Sequence, residues 1–165
     1  MNITSDGAKK LLDTLEKEKQ MIYQDINDLS TFVVATMESV DELRPEFDLE
    51  DCLNQLDKID EKVLKIRHAR NIFNTVTKLP CGLTIDQTLV KLAQLNNRLT
   101  KYDNLASKQP KSRVSSYSSQ VIEYRYTNYD ITAAKERYKT ITEEIHKLQE
   151  ELNIVNATIA FEINI

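Results

Sequence analysis

Hydrophobic residues recur at steps of three and four along most of this chain, which is the spacing of amphipathic helices. The pattern predicts four long helices, over residues 8–30, 48–78, 84–107 and 131–162. In the second and fourth helices the steps alternate regularly, as in the heptads of a coiled coil. Helices with such narrow apolar seams are typical of bundles. The predicted fold is therefore mainly all-α, an antiparallel bundle or a set of coiled-coil hairpins.

The period fails in two stretches between these helices. Residues 31–44 are acidic and end at Pro45, which predicts a connecting loop. Residues 112–129 are rich in Ser and Tyr, and apolar and polar side chains alternate there from Ile122 to Thr127, which predicts a strand. Its local partner would lie at residues 114–117. We expect a β-hairpin arm between the third and fourth helices, or an arm that pairs with another copy, on a single elongated domain spanning residues 1–165.

The turn between the second and third helices has the clearest local chemistry. A Pro80-Cys81-Gly82 sequence ends the second helix, and Gly82 supplies the backbone freedom of a tight turn. Thr84 and Gln87 then have the spacing of a capping box, in which each side chain accepts a hydrogen bond from the backbone of the other residue. The sequence thus predicts a helical hairpin. For the third helix of the chain, the predicted buried face consists of Ile85, Leu89, Leu92, Leu95, Leu99 and Tyr102.

Composition excludes several kinds of chemistry. The chain has only two glycines, Gly7 and Gly82, too far apart for a phosphate loop or a dinucleotide fingerprint. The histidines and the cysteines are also too widely spaced for a metal motif. No Cys–His pair indicates a nucleophile with its base. We therefore expect no enzyme, no cofactor and no metal.

Charge and hydropathy bear on the partners and the location. Lys and Arg number 22 and Asp and Glu 26, a net charge of −4. Nucleic-acid binding is not expected, because it needs an excess of basic residues. The longest purely apolar run, residues 32–35, is too short to span a bilayer. We expect a cytoplasmic protein without a membrane-spanning segment, and action on a membrane stays open as an alternative.

One polar cluster interrupts the apolar seam of the second helix. Arg70 occupies a seam position, and Arg67, Asn71 and Asn74 share its side of the helix. An Arg at a seam needs partners. The four side chains either form a polar layer that fixes the register of packed helices, or clasp a carboxylate or phosphate ligand.

A second cluster is aromatic and basic. Tyrosines and arginines alternate around the predicted arm, and such interleaving serves cross-strand packing with Arg over the rings, or stacking on single-stranded nucleic acid. Both interpretations stay open. The residues are Tyr117, Tyr124, Tyr126, Tyr129, Tyr138, Arg113, Arg125 and Arg137.

Two segments give the chain a resemblance to a known family. The sequences RNIFNTVTKLPCGLTIDQTLVKLAQL and SYSSQVIEYRYTNYDI resemble the septicolysin-like family of small bacterial proteins, and the similarity covers nearly the whole chain. The resemblance implies a helical, oligomeric body with a small β-hairpin, and register and turn roles for Asn71, Asn74 and Gly82. This chain has Ser116-Tyr117-Ser118 where the family often has Arg-Tyr-Ser, so no role of that arginine transfers. The family name suggests a pore-forming cytolysin.

Three functions follow as hypotheses. The first is a cytoplasmic scaffold or interaction protein that acts through homo-oligomer surfaces, since narrow apolar seams leave surface for another subunit. Acidic residues 38–61 followed by basic residues 62–78 would suit antiparallel pairing. The alternatives are a pore-forming, membrane-active protein and a binder of small anionic ligands, or an enzyme acting on them, that uses Arg67, Arg70, Asn71 and Asn74.

Overall fold

The computed structural model describes residues 1–114 and 122–165 and is mainly helical. The predicted helical class is therefore confirmed, with two small antiparallel sheets in addition. In chain order the described elements are β1 (Asn2–Thr4), α1 (Ser5–Leu29), α2 (Val40–Leu43), α3 (Leu49–Val76), α4 (Ile85–Ala106), β2 (Lys111–Val114), β3 (Glu123–Tyr126), α5 (Ile131–Thr158) and β4 (Ala160–Glu162).

The structure departs from the predicted elements mainly at two helix ends and in one loop. Helix α1 begins at Ser5 rather than at residue 8, because the Thr4 hydroxyl accepts a hydrogen bond from Gly7 N–H at 3.1 Å and caps the first turn. The single turn α2 lies inside the predicted loop. Helix α5 ends at Thr158, and strand β4 follows where the pattern predicts helix up to residue 162.

The chain divides into two compact units. One comprises Met1–Asn74 with Asn156–Ile165, and the other comprises Thr75–Val155. The single elongated domain stays a prediction.

In the first unit the two ends of the described chain pair as strands. β1 is antiparallel to β4, with Asn2 opposite Glu162. The Met1 amine donates to the Ile163 carbonyl at 2.8 Å, and Ile163 N–H donates to the Met1 carbonyl at 2.8 Å. This pairing buries the Ile163 side chain in a core formed by α1 and α3. The buried members of that core are Ala8, Leu15, Ile59, Ile66 and Ile163.

In the second unit α4 lies beside α5. Lys91 forms an ion pair with Glu144 at 2.6 Å, and Cys81 N–H, just before α4, donates to Glu151 Oε2 at 3.0 Å. Higher numbers on one helix face lower numbers on the other, so the two helices run in opposite directions. The buried side chains of this unit include Ile85, Leu92, Leu95, Ile141, Ile145, Leu148 and Leu152.

One position of the predicted α4 core is wrong. Leu89 is 46% exposed, whereas the neighbouring Thr88 is fully buried. The Thr88 hydroxyl donates to the Thr84 carbonyl at 2.8 Å, which satisfies its hydrogen-bonding need inside the helix. The cost of burying this polar side chain is thereby small, and its methyl group is removed from water.

The turn before α4 contains the proposed turn and cap residues. Gly82 has a φ of 86°, a conformation that L side chains rarely adopt. Gly82 N–H donates to the Leu79 carbonyl at 2.8 Å. Thr84 Oγ1 accepts from Gln87 N–H at 3.2 Å, and Gln87 Oε1 accepts from Thr84 N–H at 3.0 Å, so both bonds of a capping box are present.

Candidate anion-binding site

An open groove lies between α1 and α3 in the first unit, with a cavity volume of about 620 Å³. The four polar residues singled out in the sequence all line it, at helical spacing on one side of α3. Three residues of α1, also one helical turn apart, form its other wall. The complete lining is Lys9, Leu12, Asp13, Arg67, Arg70, Asn71 and Asn74.

The packing of α1 against α3 positions these side chains. Lys19 of α1 forms an ion pair with Asp60 of α3, and Lys9 and Asn74 line the same groove. The two helices therefore run in opposite directions, with the start of α1 beside the end of α3. Beneath the groove, Ala8 and Ile66 are fully buried. Leu12 packs against this core and forms the apolar part of the lining. The polar walls therefore stand on rigid helices.

Two buried atoms in the lining have no hydrogen-bond partner among the described residues. They are Arg70 Nε, a donor, and Asn74 Oδ1, an acceptor. Both side chains are half-buried overall. A buried polar atom left unsatisfied costs about 1–3 kcal/mol, and more on a charged group. The groove wall thus contains one donor and one acceptor for which the described residues supply no partner.

The charge of the groove is positive. Lys9, Arg67 and Arg70 supply three basic groups against the carboxylate of Asp13. Within the described ranges, none of these four side chains forms an ion pair. Basic groups that converge on one cavity without a carboxylate partner raise the local concentration of anions. The guanidinium of Arg70 can also bind a carboxylate or phosphate through two parallel hydrogen bonds.

Two pKa shifts occur elsewhere in the first unit. The hydrogen bond that Lys19 donates to Asp60 raises the pKa of Lys19 above its ordinary value. The hydrogen bond from Lys65 lowers the pKa of Glu61, at an N–O distance of 2.7 Å. Neither pair lines the groove, so both shifts concern the exposed surfaces of α1 and α3.

The sequence identified one wall of the groove and missed the other. Lys9, Leu12 and Asp13 have helical spacing, but that spacing does not indicate which face of α3 they meet. Gly82, Thr84 and Gln87 belong to the second unit and line no part of the groove. Their described role is the turn and cap of α4.

The aromatic arm is a two-stranded hairpin in its described part. β2 pairs with β3 in antiparallel register, with Lys111 opposite Tyr126 and Arg113 opposite Tyr124. The cation over the rings is Lys111, with Nζ 4.0 Å from the Tyr124 centroid and 5.3 Å from that of Tyr126. Among the described residues, lysine rather than arginine lies over these two rings.

Of the other tyrosines in this cluster, Tyr129 makes a different contact and Tyr117 lies outside the described residues. Tyr129 donates its hydroxyl hydrogen bond to the Leu105 carbonyl at 2.6 Å and ties the start of α5 to the end of α4. Tyr117, with Ser116 and Ser118, lies outside the described residues.

Residues 1–114 and 122–165 contain no helix that is both long and apolar enough to cross a bilayer. They also contain no group of three or more His, Cys, Asp or Glu side chains that could hold a metal ion.

The similarity of this chain to known proteins concerns its fold. No protein-family model and no curated protein matches the chain. A solved structure does match, that of a functionally unknown conserved protein from Corynebacterium diphtheriae, with a TM-score of 0.64 and 14% sequence identity. The match covers 98% of this chain and 100% of that one. This chain is therefore similar in fold to the corynebacterial protein over nearly its whole length.

Proposed function

We propose that this protein binds a small anion, a carboxylate or a phosphate, in the groove between α1 and α3. The observation that supports this most strongly is the buried, unpartnered Nε of Arg70 in a cavity lined by three basic side chains. An anion would satisfy the guanidinium and neutralise part of the excess charge at the same time.

The same observation favours a ligand over a structural polar layer. A register layer requires protein groups that pair with the Arg70 guanidinium, as buried polar residues of coiled coils pair with one another. In the described part of the chain no carboxylate or carbonyl is hydrogen-bonded to it. Asn74 Oδ1 adds a requirement, because it needs a donor. A monoprotonated phosphate or a hydroxy carboxylate carries both an anionic oxygen and an O–H group.

The affinity has a physical ceiling. Small ligands gain at most about −1.5 kcal/mol per non-hydrogen atom, which gives inorganic phosphate about −7.5 kcal/mol, a Kd of about 3 µM. A larger hydroxylated anion that also contacts Leu12 and Asn71 would bind more tightly.

Titration of the ¹⁵N-labelled protein with inorganic phosphate, followed by NMR, tests the proposal. We expect saturable shifts of the amide signals of residues 9–13 and 67–74. Arg70→Leu should weaken phosphate binding by about tenfold or more, because it removes the guanidinium that contacts the anion. Arg70→Lys keeps the charge but loses the bidentate hydrogen-bonding geometry. Its affinity for phosphate should therefore lie between those of the parent protein and of Arg70→Leu.

Lys62→Leu is the matched control, because Lys62 is an exposed cation of α3 that does not line the groove. It should leave phosphate binding unchanged. Equal weakening by Lys62→Leu and Arg70→Leu would reduce the effect to net charge and contradict the proposal. Loss of stability in Arg70→Leu without any phosphate binding by the parent protein would support the register layer instead.

A second function, an interaction protein acting through homo-oligomer surfaces, is supported by a different observation. The segment between α1 and α3 exposes apolar side chains, with Val33 97% and Met37 fully exposed. Exposed apolar surface rimmed by polar residues is typical of interaction sites. We propose that these side chains contact a second copy in a cytoplasmic assembly of antiparallel helical hairpins. Light scattering should give a mass above that of one chain. In the double variant Val33→Ser, Met37→Ser, the mass should fall to that of one chain.

Membership of the septicolysin-like family is a further proposal, based on the two sequence segments that resemble it. A pore-forming activity would follow from that membership. Purified protein should then release dye from liposomes, and no release across a range of pH and lipid composition would contradict the cytolysin activity.

A further inference from the structure

A second groove lies on the other unit, between α4 and α5, with a cavity volume of about 450 Å³. Its residues recur at helical spacing on one stripe of each helix. It differs from the first groove in having a largely apolar floor with basic groups around it. The lining is Leu95, Arg98, Lys101, Tyr102, Leu105, Arg137, Thr140, Ile141 and Glu144.

The floor is fixed by the packing of the two helices. Leu95 and Ile141 are buried, Tyr102 is half-buried, and Leu105 remains 36% exposed toward the end of α4. The hydrogen bond from Tyr129 to the Leu105 carbonyl holds that end of the helix against the start of α5. This groove therefore offers pre-formed apolar surface, which is the usual lining of small-molecule sites.

The basic groups of the groove have no acidic partner. Glu144, its only carboxylate, is paired with Lys91 at 2.6 Å. Arg98, Lys101 and Arg137 form no ion pair with any described residue. Three like charges around one apolar floor favour a ligand that brings negative charge and an apolar body together.

We propose that this groove binds a single-chain amphipathic anion, with a carboxylate, sulfate or phosphate head among Arg98, Lys101 and Arg137. Its aliphatic or aromatic tail lies on Tyr102 and Leu105, above the buried Leu95 and Ile141. The head forms charge-assisted hydrogen bonds with the guanidinium groups. The tail removes apolar surface of the floor from water. This site is independent of the small-anion groove of the first unit.

The test is an NMR titration of the ¹⁵N-labelled full chain with decanoate, decanol and acetate. Decanoate should bind at least about tenfold more tightly than either comparator, because decanol lacks the charge and acetate lacks the tail. Its saturable shifts should cluster at residues 95–105 and 137–144. Shifts at residues 67–74 would instead indicate binding in the first groove. The titration therefore tests the two proposed sites independently of each other.

Paired variants assign the binding to this groove. Arg98→Gln with Arg137→Gln should weaken decanoate binding by at least about tenfold. Lys135→Gln with Lys147→Gln removes two exposed cations of α5 that do not line the groove, and should leave decanoate binding unchanged. Leu105→Ser should weaken the binding of decanoate and leave the binding of acetate unchanged. All the substituted positions are exposed, so each variant should fold. Circular dichroism checks that it does.

Four results would overturn the proposal. Equal affinity for decanol and decanoate would indicate plain hydrophobic binding. Non-saturable shifts spread over the whole chain would indicate detergent action. Equal losses in the two paired variants would reduce the effect to net charge. Binding to phosphatidylglycerol vesicles or to an acidic helical peptide, without binding of monomeric decanoate, would assign the surface to a membrane or a protein.

Discussion

The ring of Phe73 in α3 stacks on the ring of Phe161 in β4, with centroids 4.6 Å apart and planes inclined by 24°. Phe73 is buried and Phe161 is half-buried. The contact anchors a three-residue strand on a long helix, and two-stranded ribbons need such packing to persist in water.

Removal of this contact should destabilise the first unit. We expect Phe161→Ala to lower the free energy of unfolding by about 2–4 kcal/mol, from lost burial, a residual cavity and the lost ring pair. Urea unfolding followed by circular dichroism measures the change. Phe32→Ala, at a more exposed ring of the α1–α3 connection, should cost less than half as much. Equal costs would mean that the ring pair contributes nothing specific.

The capping box gives a second stability prediction. Thr84→Ala removes the oxygen that accepts from Gln87 N–H, and should cost about 1 kcal/mol. Thr100→Ala is the control on the same helix, because Thr100 donates only to the carbonyl of Asn96, four residues before it. That change should stay within about 0.5 kcal/mol. A smaller effect for Thr84→Ala than for Thr100→Ala would contradict the cap.

Gly82 should resist substitution for conformational reasons alone. A Cβ atom there would meet nothing within 4 Å, but the φ of 86° is unfavourable for an L side chain. Gly82→Ala should therefore cost about 1–2 kcal/mol, and Gly82→Asn less, since Asn tolerates this region better. Thermal unfolding of both variants gives the order. A more stable Gly82→Ala variant would exclude the positive φ in solution.

The pair Glu61 and Lys65 predicts a pH dependence. The bond from Lys65 lowers the pKa of Glu61 below 4.5, so the folded state releases this proton more readily than the unfolded state does. The stabilisation is present above the unfolded-state pKa and is lost as pH falls through the folded-state value. An NMR titration should give a midpoint below 4.5, which Lys65→Gln raises toward 4.5. An unchanged midpoint would contradict the ion pair.

The elements that periodicity predicts well are the ones that local physics determines. The apolar seam of α5 is buried from Ala134 to Val155, because each of its turns places one large side chain on the same face. Hydrophobicity alone could not predict that Thr88 is buried in α4 and that its neighbour Leu89 is exposed. The burial of Thr88 depends on a hydrogen bond inside the helix that leaves the buried threonine satisfied.

The elements that the sequence did not predict depend on distant partners. Residues Ile159, Phe161 and Ile163 alternate with polar or small residues, which is a strand pattern, but it is too short to outweigh the helical period before it. Strand β4 forms because β1, at the other end of the described chain, supplies its hydrogen bonds. The second wall of the anion groove was missed for the same reason, since α1 reaches Arg70 only through tertiary packing.

The pairing of β1 with β4 has a mechanical consequence. Met1 and Ile163 lie at the same end of an antiparallel ladder, so a force that pulls residues 1 and 165 apart acts across the strands and opens the ladder bond by bond. Such unzipping loads one hydrogen bond at a time, whereas shearing along the strands would load all of them together. In an optical trap, tethers at the two ends should therefore open this ladder at low force before the helices extend.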